Sequence, residues 1–243
     1  MPWFKEWFDS PYYHILYKQR DDKEAQDFLD NIVNYLELTD KEKVLDLACG
    51  KGRHAIYLNK LGFDVVGIDL SVQNIEEAKK SENQRLRFEV HDMRETFMQN
   101  TFDVILNLFT SFGYFSNKED DLKTLQAIDS GLKRDGIFVL DFFNSRKVIE
   151  NLVEKEIKTV DGITFHIQRK VENGEVIKCI SFEDKGEKFE FFERVRTLDV
   201  HDFEKYFRKA GLKLLEIFGD YDLNAFNQIK SDRLILICKK SEI

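Results

Sequence analysis

The stretch Val44-Leu45-Asp46-Leu47-Ala48-Cys49-Gly50-Lys51-Gly52-Arg53 constrains this chain more than any other. An apolar run of strand character, Val44–Ala48, meets a loop with two glycines, and Arg53–Leu61 then carries helical spacing through Ile56, Leu58 and Leu61. Gly50 and Gly52 permit backbone angles and a ligand approach that a Cβ would block. The helix beyond them offers free N–H groups to an anionic group. The same grammar continues downstream. Asp64–Asp69 reads as a second strand, Ser71 as the N-cap of a helix with Ile75 and Ala78 on one face, and Leu86–Val90 as a third strand. Phe102–Phe109 is a fourth strand, nearly all apolar, as a strand covered on both faces should be. A helix over Asp120–Leu132 and a fifth strand over Gly136–Phe143 follow. Strands alternating with helices imply right-handed crossovers and a doubly wound, parallel α/β sheet.

After Phe143 the pattern changes. A short helix over Arg146–Val153 leads into Ile157–Thr197, which reads as antiparallel strands punctuated by Glu172-Asn173-Gly174-Glu175 and Asp184-Lys185-Gly186-Glu187. Ile163, Phe165 and Ile167 alternate with Thr164, His166, Gln168 and Lys170, so one face is polar. A helix over Val200–Ala210 ends at Gly211, and Leu212–Phe218 with Arg233–Lys239 forms a final antiparallel pair. The expected architecture is a mostly parallel seven-stranded sheet with a C-terminal antiparallel pair and an antiparallel β insertion over 157–197, all in one domain of 243 residues.

Composition narrows the function. At 42% hydrophobic content the chain can build a core. Its net charge of −8 argues against a general nucleic-acid binder, whose affinity rests on cationic contacts to phosphate. Cys49, Cys179 and Cys238 match no zinc spacing and cannot all pair, which points to a reducing, cytoplasmic compartment. The aromatic, acidic N-terminus MPWFKEWFDSPYYH lacks the layout of a secretory signal, and no apolar run approaches the roughly 20 residues of a membrane span.

Chemistry concentrates at three successive strand ends. Asp69 ends the second strand, seventeen positions beyond Gly52, where a carboxylate can accept both hydroxyls of a ribose. Asp92 follows the third strand, where an acid can accept an adenine amino group. Loop, acid and acid make a nucleoside site at the carboxyl edge of the sheet. Gly50-Lys51-Gly52-Arg53-His54-Ala55 also satisfies a loose dinucleotide pattern, so a nicotinamide-dependent oxidoreductase is the alternative. Asp46, just before the loop, favours S-adenosylmethionine: a carboxylate there can support an ammonium group and would repel a pyrophosphate.

Residues 44–143 resemble the class I S-adenosylmethionine-dependent methyltransferases, with their Rossmann-like fold. VLDLACGKG is similar to the family's first motif, GIDLS to its ribose-binding acid and HDM to its adenine-contacting segment; FDVILNLFTSFGYF resembles the fourth strand and LKRDGIFVLDFFN the helix-turn-strand usually written LKPGG. The insertion is similar to that of small-molecule N-methyltransferases. By this resemblance Asp46, Ala48, Gly50 and Gly52 surround the methionine part, Asp69 and Leu70 hold the ribose, Asp92 and Met93 the adenine, and Asn107 and Leu108 line the sulfonium end, with Arg53 placed to pair with the carboxylate. Ala48 stands where the family has a glycine, Arg134-Asp135 where Pro-Gly is common, and Asn107-Leu108-Phe109-Thr110 is not the Asn-Pro-Pro-Tyr signature of adenine and glutamine amide methylation.

The expected activity is methyl transfer to a nitrogen or oxygen of a small molecule, with no nucleic-acid or membrane partner; a non-catalytic S-adenosylmethionine-binding module is a further alternative. Trp3, Phe4, Trp7 and Phe8 have the four-residue spacing of a helix packed on the body, and residues 1–30 are expected to form a lid, with Tyr13 at the cofactor. No residue declares itself as a catalytic base; Tyr13, His166 and Tyr206 are candidates. The insertion is also a candidate homodimer surface. No pair of histidines has metal-ligand spacing.

Overall fold

A computed structural model describes residues 3–18 and 22–241. The expected lid over 1–30 therefore falls partly, at 1–2 and 19–21, outside the described residues. Three helices come first, α1 (Trp3–Phe8), α2 (Pro11–Leu16) and α3 (Asp22–Tyr35). The alternating section follows as β1 (Lys43–Leu47), α4 (Arg53–Lys60), β2 (Asp64–Asp69), α5 (Val72–Ala78), β3 (Leu86–Val90), β4 (Phe102–Asn107), α6 (Lys118–Gly131) and β5 (Leu132–Phe143). Then come α7 (Ser145–Glu150), the strands β6 (Lys155–Val160), β7 (Ile163–Glu172), β8 (Glu175–Asp184) and β9 (Glu187–Arg196), α8 (Val200–Ala210), β10 (Leu212–Phe218) and β11 (Arg233–Lys240). No helix among the described residues is long and apolar enough to cross a membrane.

Seven strands form one sheet in the order β10-β11-β5-β4-β1-β2-β3, parallel except that β11 runs against both β5 and β10. From β1 the chain steps outward to β2 and β3, then returns to lay β4 on the other side of β1. That reversal opens a crevice at the carboxyl ends of β1 and β4, the position where sheets of this class bind ligands. Alternate residues feed two cores. Leu45, Leu47, Ile105 and Phe138 pack with Leu125 of α6 and Phe203 of α8, whereas Val44, Val65, Val104 and Leu106 pack with Phe28 of α3, Leu58 of α4 and Ile75 of α5.

The strands β6 to β9 form a separate four-stranded antiparallel sheet, as the hairpin signals imply. Its turns at Asp161-Gly162, Asn173-Gly174 and Lys185-Gly186 all take positive φ at both central residues, the geometry that suits the right-handed twist of a hairpin. The inner face carries a third core of Ile163, Phe165, Ile167, Ile180 and Phe182, closed by Trp7 of α1 and Leu16 of α2. The two small helices thus pack against this sheet through the Trp7 ring on Phe191, with centroids 4.7 Å apart.

Several boundaries differ from the sequence expectation by a few residues, and two of the differences follow from backbone geometry and pairing. The fourth strand stops at Asn107 rather than Phe109, because Phe109 and Thr110 take φ of 54° and 61° and turn the chain out of the sheet. The fifth strand begins at Leu132 rather than Gly136: α6 ends at Gly131, Leu132 already pairs with Phe102, and the register then shifts before Ile137 meets Val104.

Candidate functional site

The segments that follow β1, β2, β3 and β4 at the carboxyl edge of the large sheet line one cavity of about 480 Å³. Of the twelve residues expected at the cofactor, nine line it: Tyr13, Ala48, Gly50, Arg53, Asp69, Leu70, Asp92, Met93 and Leu108. Asp46, Gly52 and Asn107 do not reach its wall, and each is engaged beneath it. Asp46, 2% exposed, accepts the Ala55 N–H through Oδ2 at 3.2 Å and so caps the amino end of α4, a task that Gly52 at the N-cap cannot perform. Its carboxyl is pushed up to about 7, chiefly by burial, against the pull of the Ala55 N–H. Gly52 has φ of 80° and leaves no room for a Cβ, which would stand 2.5 Å from the Phe88 ring. The Asn107 amide donates to the Leu47 carbonyl at 3.1 Å, tying β4 to β1 at the crevice, while its own Oδ1 is buried without a partner among the described residues.

Asp69 organises the centre. Its Oδ2 accepts the Gly50 N–H and its Oδ1 the Ser71 N–H, both at 2.8 Å, so one carboxylate fixes the glycine loop and the turn into α5. Each oxygen retains a lone pair for a ligand hydroxyl. Burial pushes this carboxyl above its ordinary range, and the two backbone donors oppose the shift. Gly50 has φ of 56°, and a Cβ built there would meet nothing within 4 Å, so the loop presents bare backbone to open space. Ala48, with φ of 61°, carries a methyl group in the same left-handed region, which costs about 1–2 kcal/mol relative to an unstrained position.

Asp92 is held by Arg94, whose Nε and Nη2 reach its two oxygens at 3.0 and 2.6 Å, and this pairing keeps the carboxyl below the usual carboxylate range. Arg53 pairs through Nη1 with Asp22 of α3 at 3.5 Å, its Nε lies 3.0 Å from His54 Nε2, and its guanidinium sits 4.6 Å from the centroid of Phe109. The His54 ring stacks on Phe109 at 4.9 Å, so this histidine is a packed core residue. Of the candidate bases, only Tyr13 lines the cavity. His166 lies on the exposed face of β7, and Tyr206 packs against the core below α8.

The upper wall holds residues that sequence reasoning missed. Glu193 and Val195 of β9 close the cavity opposite the strand ends. Glu193 Oε1 accepts from Trp7 Nε1 at 2.8 Å and from the Tyr17 hydroxyl at 2.6 Å, so it ties the N-terminal helices to the small sheet. Among lysines, glutamates and arginines Glu193 reads as one more solvated charge. Strand alternation was the signal that could have singled it out, because it shares a face with Phe189 and Phe191.

Comparison with known proteins gives the chain a family and a fold. A family model described as a methyltransferase domain matches residues 38–211. YqeM of Bacillus subtilis (strain 168), which carries a methyltransferase name, is 29% identical over 215 residues, 84% of this chain and 87% of that protein. A glycine/sarcosine N-methyltransferase of Aphanothece halophytica is 37% identical over 114 residues, 45% of this chain and 43% of its own. The crystal structure of an S-adenosylmethionine-dependent methyltransferase from Clostridium acetobutylicum ATCC 824 superposes with a TM-score of 0.80 at 22% identity, covering 95% of this chain and 96% of that one.

Proposed function

The chain belongs to the methyltransferase-domain family and is an S-adenosylmethionine-dependent enzyme of the class I fold; from that premise we propose that it methylates a nitrogen or oxygen of a small molecule. The observation that carries this reading is the Asp69 carboxylate at the cavity wall, anchored by Gly50 and Ser71 beside bare glycine backbone. The donor set fits the cofactor: an ionisable acid at the end of β2 suits a ribose diol, Asp92 and Met93 after β3 offer a polar and an apolar contact to a base, and Ala48 to Gly50 leave backbone exposed for the amino-acid part. Asp46 supports the ammonium from below, Leu70 shares the ribose wall with Asp69, Arg53 faces the carboxylate, Asn107 and Leu108 bound the sulfonium end, Gly52 holds the turn, and Tyr13 presents its ring from the lid formed by α1 and α2.

Bound between Asp69, Asp92 and the Ala48–Gly50 backbone, the cofactor would supply an electrophilic methyl group on a sulfonium sulfur that keeps the bonding electron pair, the acceptor's proton passing to solvent. The chain's own part is alignment and exclusion of water. Trp7, Phe8, Tyr13 and Tyr17 pack into one aromatic layer over the cavity, with the Tyr13 ring 4.9 Å from both Phe8 and Tyr17. That enclosure, with the net charge of −8, supports a small acceptor over a macromolecule. Three free cysteines support a cytoplasmic setting. Exposed Ile157 and Phe192, on the outer face of the small sheet, support pairing with a second copy there, which sedimentation at rising concentration tests. Calorimetry with S-adenosylhomocysteine tests the site: the wild type binds, and Asp69→Ala binds about 100-fold or more weakly. Saturable NADH fluorescence in its place would return the oxidoreductase reading.

A further inference from the structure

A second cavity of about 400 Å³ adjoins the first and shares Arg53, Phe109, Tyr114, Glu193 and Val195 with it. Its charge is unusual for this molecule. Arg53, Arg169, Lys178 and Arg233 line it beside Glu24 and Glu193, each cation paired with a carboxylate (Asp22, Glu156, Glu193 and Asp141 in turn), in a chain whose net charge is −8.

The roof of this cavity is the inner face of the small sheet, where the residue pattern breaks in register across three strands. Ile167, Ile180 and Phe191 pair across β7, β8 and β9 as one apolar row. The next row on the same face is Arg169, Lys178 and Glu193, and the row after it, Val171, Val176 and Val195, is apolar again. Charged side chains facing inward between two apolar rows cost desolvation and need a reason. Lys178 shows that cost, since burial lowers its ammonium pKa despite the Glu193 carboxylate 3.4 Å away.

The floor answers with a second pair of cations. Because β11 runs against β5, its first residue, Arg233, arrives at the carboxyl edge of the sheet beside Phe143. Its Nε donates to the fully buried Asp141 at 2.7 Å and its Nη2 to the Thr110 hydroxyl at 2.9 Å, which orients the guanidinium. Arg169 is oriented likewise, donating to the Val153 carbonyl and the Glu156 carboxylate. A guanidinium has five N–H donors, so a fork held in this way can still accept a planar anion.

The geometry points to the second cavity as the acceptor site, selecting an acceptor that carries an anionic oxygen group, a carboxylate or a phosphate ester, held between Arg169 and Lys178 above and Arg233 and Arg53 below. This rests on the methyltransferase reading, because the shared residues Phe109, Tyr114 and Glu193 are where an acceptor would meet the cofactor cavity.

The test uses the full chain saturated with S-adenosylhomocysteine, a titration that examines the cofactor site on its own before any acceptor probe is added. Benzoate, phenyl phosphate and benzamide, similar in shape and different in charge, are then titrated by calorimetry. At least one anion is expected to bind about tenfold or more tighter than benzamide; preference for benzoate assigns a carboxylate, and preference for phenyl phosphate a phosphate ester. Arg169→Gln and Lys178→Gln should each remove most of that preference while S-adenosylhomocysteine binding persists. Equal binding of all three probes, no binding of either anion, or an unchanged preference in both variants would overturn the assignment, and the wild-type titrations decide it even if a variant fails to fold.

Discussion

The two sheets solve opposite problems. The seven-stranded sheet buries both faces and places its chemistry at strand ends, where the backbone leaves the sheet and carboxylates such as Asp69 meet N–H groups of turns. The four-stranded sheet has one buried face, completes it with Trp7 and Leu16 from the start of the chain, and places charge in mid-strand. Chemistry near strand ends leaves the core largely apolar, with Asp46 and Asp141 buried close to the carboxyl edge. Chemistry in mid-strand takes positions out of the core and requires compensation, which the contacts of Glu193 to Trp7, Tyr17 and Lys178 supply. On the assignment proposed above, the large sheet holds the cofactor and the small sheet selects the acceptor.

If the small sheet depends on the N-terminal helices, Trp7→Ala should have the largest effect. The indole is fully buried and bonds to Glu193, and its removal should cost about 3–5 kcal/mol. Hydrogen exchange should then accelerate over β6 to β9 while β4 stays protected; uniform acceleration would show that the two sheets unfold as one unit. Asp69→Ala should do the reverse, leaving the small sheet intact. Losing two charge-assisted bonds to the loop should lower S-adenosylhomocysteine affinity by about 100-fold or more, read by calorimetry. Gly67→Ala tests the rigidity of the large sheet, since a Cβ there would lie 2.6 Å from the Phe88 ring and 2.9 Å from Cys49 Sγ. A loss of about 1–3 kcal/mol in urea denaturation is expected.

Proton linkage sharpens the role of Asp46. With its carboxyl at about 7 in the free protein, the native state holds a proton that the unfolded chain releases in the ordinary carboxylate range, so the unliganded fold loses stability as pH rises toward 7. An ammonium bound nearby should ionise it. Binding should then release a proton below pH 7 and tighten about tenfold between pH 6 and 8. Calorimetry in two buffers of different ionisation enthalpy measures the proton, and Asp46→Asn should abolish the effect. The smallest change expected is from Ala48→Gly, which relieves the left-handed strain and should raise stability by up to about 1 kcal/mol in thermal denaturation.

The large sheet was legible in the sequence because its signals are local. Asp64–Asp69, Leu86–Val90 and Val200–Ala210 match their elements, the last stopped by Gly211 at φ of 86°. Where a boundary depended on pairing with a distant strand, as at Leu132, or on strain at Phe109 and Thr110, periodicity carried no trace of it. In the site, strand-end residues were readable because their position follows from the strand itself. Whether Asp46, Gly52 and Asn107 face the cavity or the layer beneath it depends on bonds to Ala55, packing on Phe88 and a bond to Leu47, which only the assembled sheet defines. The alternation through Ile163, Phe165 and Ile167 points on to Arg169, yet facing inward becomes meaningful only once the small sheet has a cavity to face.

The bond from Trp7 to Glu193 spans 186 positions. During synthesis α1 therefore emerges long before its docking strand exists, and its indole must wait for β9 to follow. Arg233 arrives later still. A nascent chain that already holds the glycine loop and Asp69 thus lacks both the Glu193 anchor for its N-terminal helices and Arg233, which follow only once β9 and β11 have been made.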